Sequence, residues 1–137
     1  MSGLGKDSSK KATQTLLDYF TIKEQEQIIN IGICGASHDY TIGELIEINS
    51  VIYKKNLYIL NQRDGKALTC IDNPATDNEF TLVDMESYGF YQVVKGMKNA
   101  YIFKVVSDHF EPQTVTKERT KNLLFRQIDE IMKRVNQ

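Results

Sequence analysis

Gln27-Ile28-Ile29-Asn30-Ile31-Gly32-Ile33-Cys34 is the stretch on which the fold turns. Its nearly continuous run of β-branched residues suits a strand buried on both faces, and strands of that kind occupy the centre of parallel sheets. Gly35 follows and is expected to supply a turn. A second apolar run, Ala100 to Ser107, reads as another buried strand. Between the two, Glu44 to Tyr53 alternates through Ile46, Ile48 and Val51, the period of a half-buried strand. Leu57 to Leu60 and Lys66 to Ile71 flank Arg63-Asp64-Gly65 and read as a hairpin. Asn73 to Asn78 is polar and turn-rich, and reads as a surface loop before the short apolar segment Phe80 to Val83.

Helical spacing appears in three places. Ala12, Leu16, Tyr19 and Phe20 recur every three or four residues, placing a helix from Ser8 to about Thr21. Met85 to Val94 reads as a second helix, and Leu124, Ile128, Ile131 and Val135 mark one face of a last one. Strands alternating with helices make an α/β sheet covered by helices, and no repeat or internal boundary divides residues 1–137, so one domain is expected.

Charge and composition narrow the partners. Seventeen basic residues oppose eighteen acidic ones without a long run of either sign, which lacks the electrostatic footprint of non-specific nucleic-acid binding. The longest apolar stretches fall well short of the roughly 20 residues of a membrane-spanning helix. Neither nucleic acid nor a membrane is an expected partner; a small molecule is. The N-terminus lacks the apolar core of a signal peptide, and Cys34 and Cys70 make no disulfide framework, so a reduced, cytoplasmic setting is expected.

Some motifs lead nowhere. Gly3-Leu4-Gly5-Lys6-Asp7-Ser8 lacks the first glycine and the Ser/Thr after lysine that a phosphate-binding P-loop requires. His38 and His109 lie far apart in sequence with no ligand spacing around them, so no metal is expected and both read as structural or exposed. Cys34, at the end of an apolar strand with no partner base, reads as a buried thiol rather than a nucleophile.

Two acidic spots are more informative. Val83-Asp84-Met85-Glu86-Ser87 opens a helix, and Val105-Val106-Ser107-Asp108 ends a strand, where α/β folds build their sites. Taken singly, helix capping explains Asp84 and Glu86, and an Asx turn explains Asp108. Taken together, a carboxylate just beyond a buried strand is a place for a proton donor.

Ser2-Gly3-Leu4-Gly5-Lys6, Asn30 to Ala36, Val83-Asp84-Met85-Glu86 and Val106-Ser107-Asp108 resemble, in order, the motif series of the purine nucleoside phosphorylase and methylthioadenosine/S-adenosylhomocysteine nucleosidase superfamily. The resemblance runs from Ser2 to the final helix, with Lys54 to Leu82 shorter than its usual counterpart. It implies a three-layer sandwich around a mixed, mainly parallel sheet, and a nucleoside-cleaving enzyme that needs no cofactor and works as a homo-oligomer. It also implies roles. Glu86 binds the ribose hydroxyls, Met85 packs against the sugar, and Asp108 protonates N7 of the departing purine, while Ser107 and Gly35 shape the pocket. An acid at Asp108 donates near neutral pH only where its surroundings favour the protonated form.

The chain departs from the family pattern in two respects. Asn30 and Ile33 stand where hexameric phosphorylases carry the arginine and the Ser/Thr that hold phosphate, and neither supplies a bidentate cation, which favours hydrolysis over phosphorolysis. The family's first strand, with the acid that activates water, is expected upstream of Ser2, so the domain reads as N-terminally incomplete. Phosphorolysis, and a pocket that binds nucleoside without turnover, are the alternatives.

Overall fold

A computed structural model describes residues 20–24, 27–72, 80–97, 99–111 and 115–136. The elements run β1 (Phe20–Glu24), β2 (Gln27–Ala36), β3 (Leu45–Tyr53), β4 (Asn56–Ile59), β5 (Lys66–Cys70), β6 (Leu82–Asp84), α1 (Ser87–Val94), β7 (Ala100–Asp108) and α2 (Lys117–Val135). The Gly3 to Lys6 motif and most of the expected first helix lie outside the described residues, as does the loop at Asn73 to Asn78.

The strand read from Gln27 to Cys34 is present as β2 and is buried on both faces. Ile29 and Ile31 enter one core with Tyr101, Phe103 and Val105; Cys34 and Ala36 enter the other with Ile102 and Val106. Strand β7 behaves in the same way, because successive side chains point to opposite faces and all nine of its residues are buried. The two strands pair in parallel from Ile28↔Ala100 to Cys34↔Val106. Helix α1 covers one core with Phe90 and Val94, and helix α2 covers the other with Leu123, Leu124, Ile131 and Val135. The Thr116 hydroxyl oxygen caps α2 by accepting from Arg119 N–H at 3.1 Å.

The sheet does not stay open. β2 pairs β6, β6 pairs β5, β5 pairs β3, β3 pairs β7, and β7 pairs β2, so five strands close into a barrel flanked by β1 and β4. Among the described residues four of the seven pairings are antiparallel, which corrects the expectation of a mainly parallel sheet. The reason is topological: the short connection from β2 into β3 is followed by antiparallel pairing of β3 along β7, from Leu45↔Val105 to Ile48↔Ile102, and this closes the ring.

Three further expectations change. The hairpin is β3 with β4, joined at Lys54-Lys55, while β5 pairs β3 in parallel and not β4. Phe20 and Thr21 belong to strand β1, paired to Ile31 and Asn30, because cross-strand pairing overrides local helical spacing. Gly35 is not a turn but part of β2, at an irregularity where Cys34 pairs Val106 and Gly35 pairs Asp108.

Candidate functional site

Gly35 is the hinge of the site because two strands meet there. It pairs Val83 on β6 and Asp108 on β7, so the β6–α1 junction and the end of β7 are brought to the same part of β2. A side chain at this position would meet Val83 at 3.2 Å, Phe110 at 3.4 Å and the Asp108 carboxylate at 3.5 Å. Glycine thus lets β6 approach β2 closely.

Asp108 is held from two sides. Its Oδ1 lies 2.6 Å from the Ser107 hydroxyl, and its Oδ2 accepts from Glu111 N–H at 2.9 Å. The second contact reaches three residues along the chain, one farther than the Asx turn expected for this residue. Ser107 is itself buried, with its Oγ 3.2 Å from the Cys34 carbonyl. One hydroxyl has one proton to give, and the two acceptors around Ser107 compete for it.

At the other acidic spot the structure separates Asp84 from Glu86. Asp84 does the capping: its Oδ2 accepts from Ser87 N–H at 2.9 Å and its Oδ1 from the Ser87 hydroxyl at 2.6 Å. Glu86 occupies the N-cap position of α1 but makes no side-chain capping hydrogen bond. Helix capping therefore accounts for Asp84 and not for Glu86. Glu86 is 8% exposed and Asp108 7%, while Met85 beside Glu86 is half-buried.

Behind these residues runs a buried polar chain that the sequence reading did not identify. Lys104 Nζ lies 3.2 Å from Asp84 Oδ2, both side chains essentially sealed from solvent, and 3.4 Å from Asn30 Oδ1. The signal was a single lysine in the apolar run from Tyr101 to Val106. Burial drives the Cys34 thiol far above its ordinary range, although Lys104 works in the opposite direction. Burial likewise pushes Cys70 up to about 12. Both cysteines are buried free thiols, in keeping with the reading of Cys34.

The two histidines, distant in sequence, are neighbours in space. Their rings stack at 4.1 Å, with His109 Nδ1 3.0 Å from the Ala36 carbonyl, which fixes that nitrogen as the donor. Two surface clefts, of about 500 Å³ beside Ile42 and Asn122 and about 370 Å³ beside Tyr40 and Thr69, lie elsewhere, and neither is lined by Asp108 or Glu86. The site is thus defined by strand register and side-chain chemistry, not by cavity size. No helix among the described residues is long and apolar enough to cross a membrane.

No protein-family model matches the chain. Among curated proteins it is similar to the Probable GTP-binding protein EngB of Finegoldia magna, 34% identical over 76 residues, which is 56% of this chain and 36% of that protein. The chain thus spans about a third of that relative's length. Neither Gly-Lys pair in the sequence, Gly5-Lys6 or Gly65-Lys66, is followed by the Ser or Thr of a GTPase phosphate loop. Solved structures give a longer match. A variant of CT263 (MTAN) from Chlamydia trachomatis superposes with a TM-score of 0.62 at 15% identity, covering 93% of each chain. The same variant bound to MTA gives 0.60 at 14% identity over 96% of this chain and 95% of that one, and CT263 bound to adenine gives 0.58 at 16% over 93% of each. The chain shares the fold of these MTAN structures.

Proposed function

We propose that this protein cleaves the N-glycosidic bond of a purine nucleoside, or of a 5′-thioadenosine derivative, by hydrolysis. The observation that carries the reading is the meeting at Gly35, where one strand register brings the Glu86 junction and Asp108 to the same part of β2. The Chlamydia neighbours, solved with MTA and with adenine, support a ligand of this class.

In this mechanism the sugar develops positive charge as the bond to the base lengthens, and the purine must leave with the bonding electrons. A proton delivered to N7 makes the base a better leaving group, and Asp108 carries that proton. Ser107 serves both states of the acid. With the acid's proton directed to N7, the Ser107 hydroxyl can turn to the Cys34 carbonyl; once that proton has passed to the base, the hydroxyl donates to Oδ1 of the ionised Asp108. Glu86, acceptor-only when ionised, takes both ribose hydroxyl protons, and Met85 packs against the sugar. Gly35 adds no side chain to the crowded spot between Val83, Phe110 and the Asp108 carboxylate.

Hydrolysis is favoured over phosphorolysis because Asn30 is buried against Lys104 and Ile33 packs towards the core under α2, so neither presents a phosphate-binding group. Homo-oligomerisation belongs to the same reading, and Leu57 and Ile59, 59% and 52% exposed on strand β4, supply apolar surface for it.

Chromatography of products from 5′-methylthioadenosine, with and without inorganic phosphate, tests the reaction type. The expected outcome is adenine and free methylthioribose at a rate phosphate does not change. Sugar 1-phosphate formed only when phosphate is present would replace hydrolysis with phosphorolysis.

A further inference from the structure

Lys104 interrupts an otherwise apolar face of β7 formed by Ala100, Ile102 and Val106. Beyond Val106 the register shifts, and Asp108 pairs Gly35 at the end of the strand. Its ammonium is fully buried at 3.2 Å from Asp84 Oδ2 and 3.4 Å from Asn30 Oδ1. Bringing two charges into a protein interior costs much of what their attraction returns, and replacing such a pair by neutral residues of similar size often leaves stability unchanged or raises it. Stability alone is a poor reason for this pair.

Asp84 suggests another. The same carboxylate that meets Lys104 also holds the first turn of α1 through Ser87 N–H and Ser87 Oγ. Glu86 lies between Asp84 and Ser87, so the turn that carries it is closed by the Asp84–Ser87 hydrogen bonds, and the same carboxylate is pinned to β7.

We infer that the buried Lys104–Asp84 pair positions Glu86 relative to Asp108, making Lys104 a positioning residue that fixes the sugar-binding end of the site against its proton-donating end. The inference rests on the nucleosidase reading of that site. A displacement of about 1 Å in such a pair of groups is enough to cost on the order of 100-fold in rate. The pair acts on geometry, so its loss should fall most heavily on substrates that use Glu86 fully.

The test is the double variant Asp84→Asn with Lys104→Met in the full chain. Asparagine retains the acceptor that caps α1, and methionine keeps the apolar stem without a buried unpaired charge. The measurements are thermal midpoint and kcat/KM for a ribonucleoside and its 2′-deoxy analogue, with Lys104→Arg as the conservative companion. Expected are a midpoint at or above wild type, about a 10- to 100-fold loss with the ribonucleoside, a smaller loss with the deoxy analogue, and wild-type selectivity in Lys104→Arg. A wild-type ratio of the two substrates in the double variant overturns the positioning role, whatever happens to the rate. Absence of base release and of nucleoside binding in the wild-type protein overturns the nucleosidase reading itself, and this inference with it; wild-type turnover with an unmoved ratio overturns the inference alone.

Discussion

Glu86 and Asp84 stand two residues apart, are both buried, and behave differently. Asp84 is consumed by the first turn of α1 and by Lys104, whereas Glu86 sits at the N-cap without capping. That division makes Glu86 the residue to alter when the sugar contact is in question. Glu86→Gln should lower kcat/KM for ribonucleosides more than for 2′-deoxyribonucleosides, because only the former offer both hydroxyls to a carboxylate. Equal losses in paired assays would return Glu86 to a structural role. The cysteines give a pH dependence. With the Cys70 thiol pushed up to about 12 from an ordinary value of 9.0, the folded protein keeps a proton that the unfolded chain releases. Below pH 9 this favours neither loss nor gain; between pH 9 and about 12 it withdraws stability as the unfolded thiol ionises. Urea midpoints should therefore fall across that window and fall less in Cys70→Ala after correction for its own cavity, and neither thiol should react with an alkylating reagent at pH 8 until the chain unfolds.

At the level of elements, the turn at Lys54-Lys55 explains both a misreading and a cost. The two lysines have φ of 50° and 69°, the positive values that a two-residue hairpin turn of the primed type demands at both positions. Asn-Gly is the pair that announces such a turn in a sequence. Two lysines do not, so Asp64-Gly65 drew the hairpin to the wrong place. Gly65 serves close packing instead: a Cβ there would lie 2.9 Å from the Glu47 carbonyl oxygen. Replacing Lys54-Lys55 by Asn-Gly should relieve the strained φ angles and raise stability by up to about 1 kcal/mol. The check is a shift of the urea midpoint to higher concentration with an unchanged slope; an unchanged midpoint would mean that the lysines carry no strain. The strands with the strongest apolar patterns, β2, β3 and β7, were legible because burial on one or both faces dictates their composition. Partner and direction were not, since the β3–β5 and β5–β6 pairings are settled by closure of the ring and leave no periodic mark. The acidic motifs were legible as chemistry, and the register at Gly35 that joins them was not. Lys104 was missed because the apolar run around it reads as a strand with or without it, and its partner Asp84 lies on another strand.

On the scale of the whole molecule, closure of five strands sets β6, which leads to Glu86, and the end of β7 at Asp108 on either side of β2, with helices sealing the cores. The same architecture bears on the GTP-binding relative. The match extends over about a third of that protein, the phosphate loop is missing from the sequence, and the fold superposes on the nucleosidase over nearly its whole length. The central claim is that this region cleaves a purine nucleoside with Asp108 as the proton donor. Its most direct test is release of free adenine from 5′-methylthioadenosine by the wild-type chain and by Asp108→Asn, with binding of each protein to the nucleoside measured in parallel. Expected are release by the wild type and, in the variant, retained binding with kcat and kcat/KM both lowered by about two to four orders of magnitude. A wild-type protein that releases no adenine, or a variant that releases it at the wild-type rate, would contradict the claim.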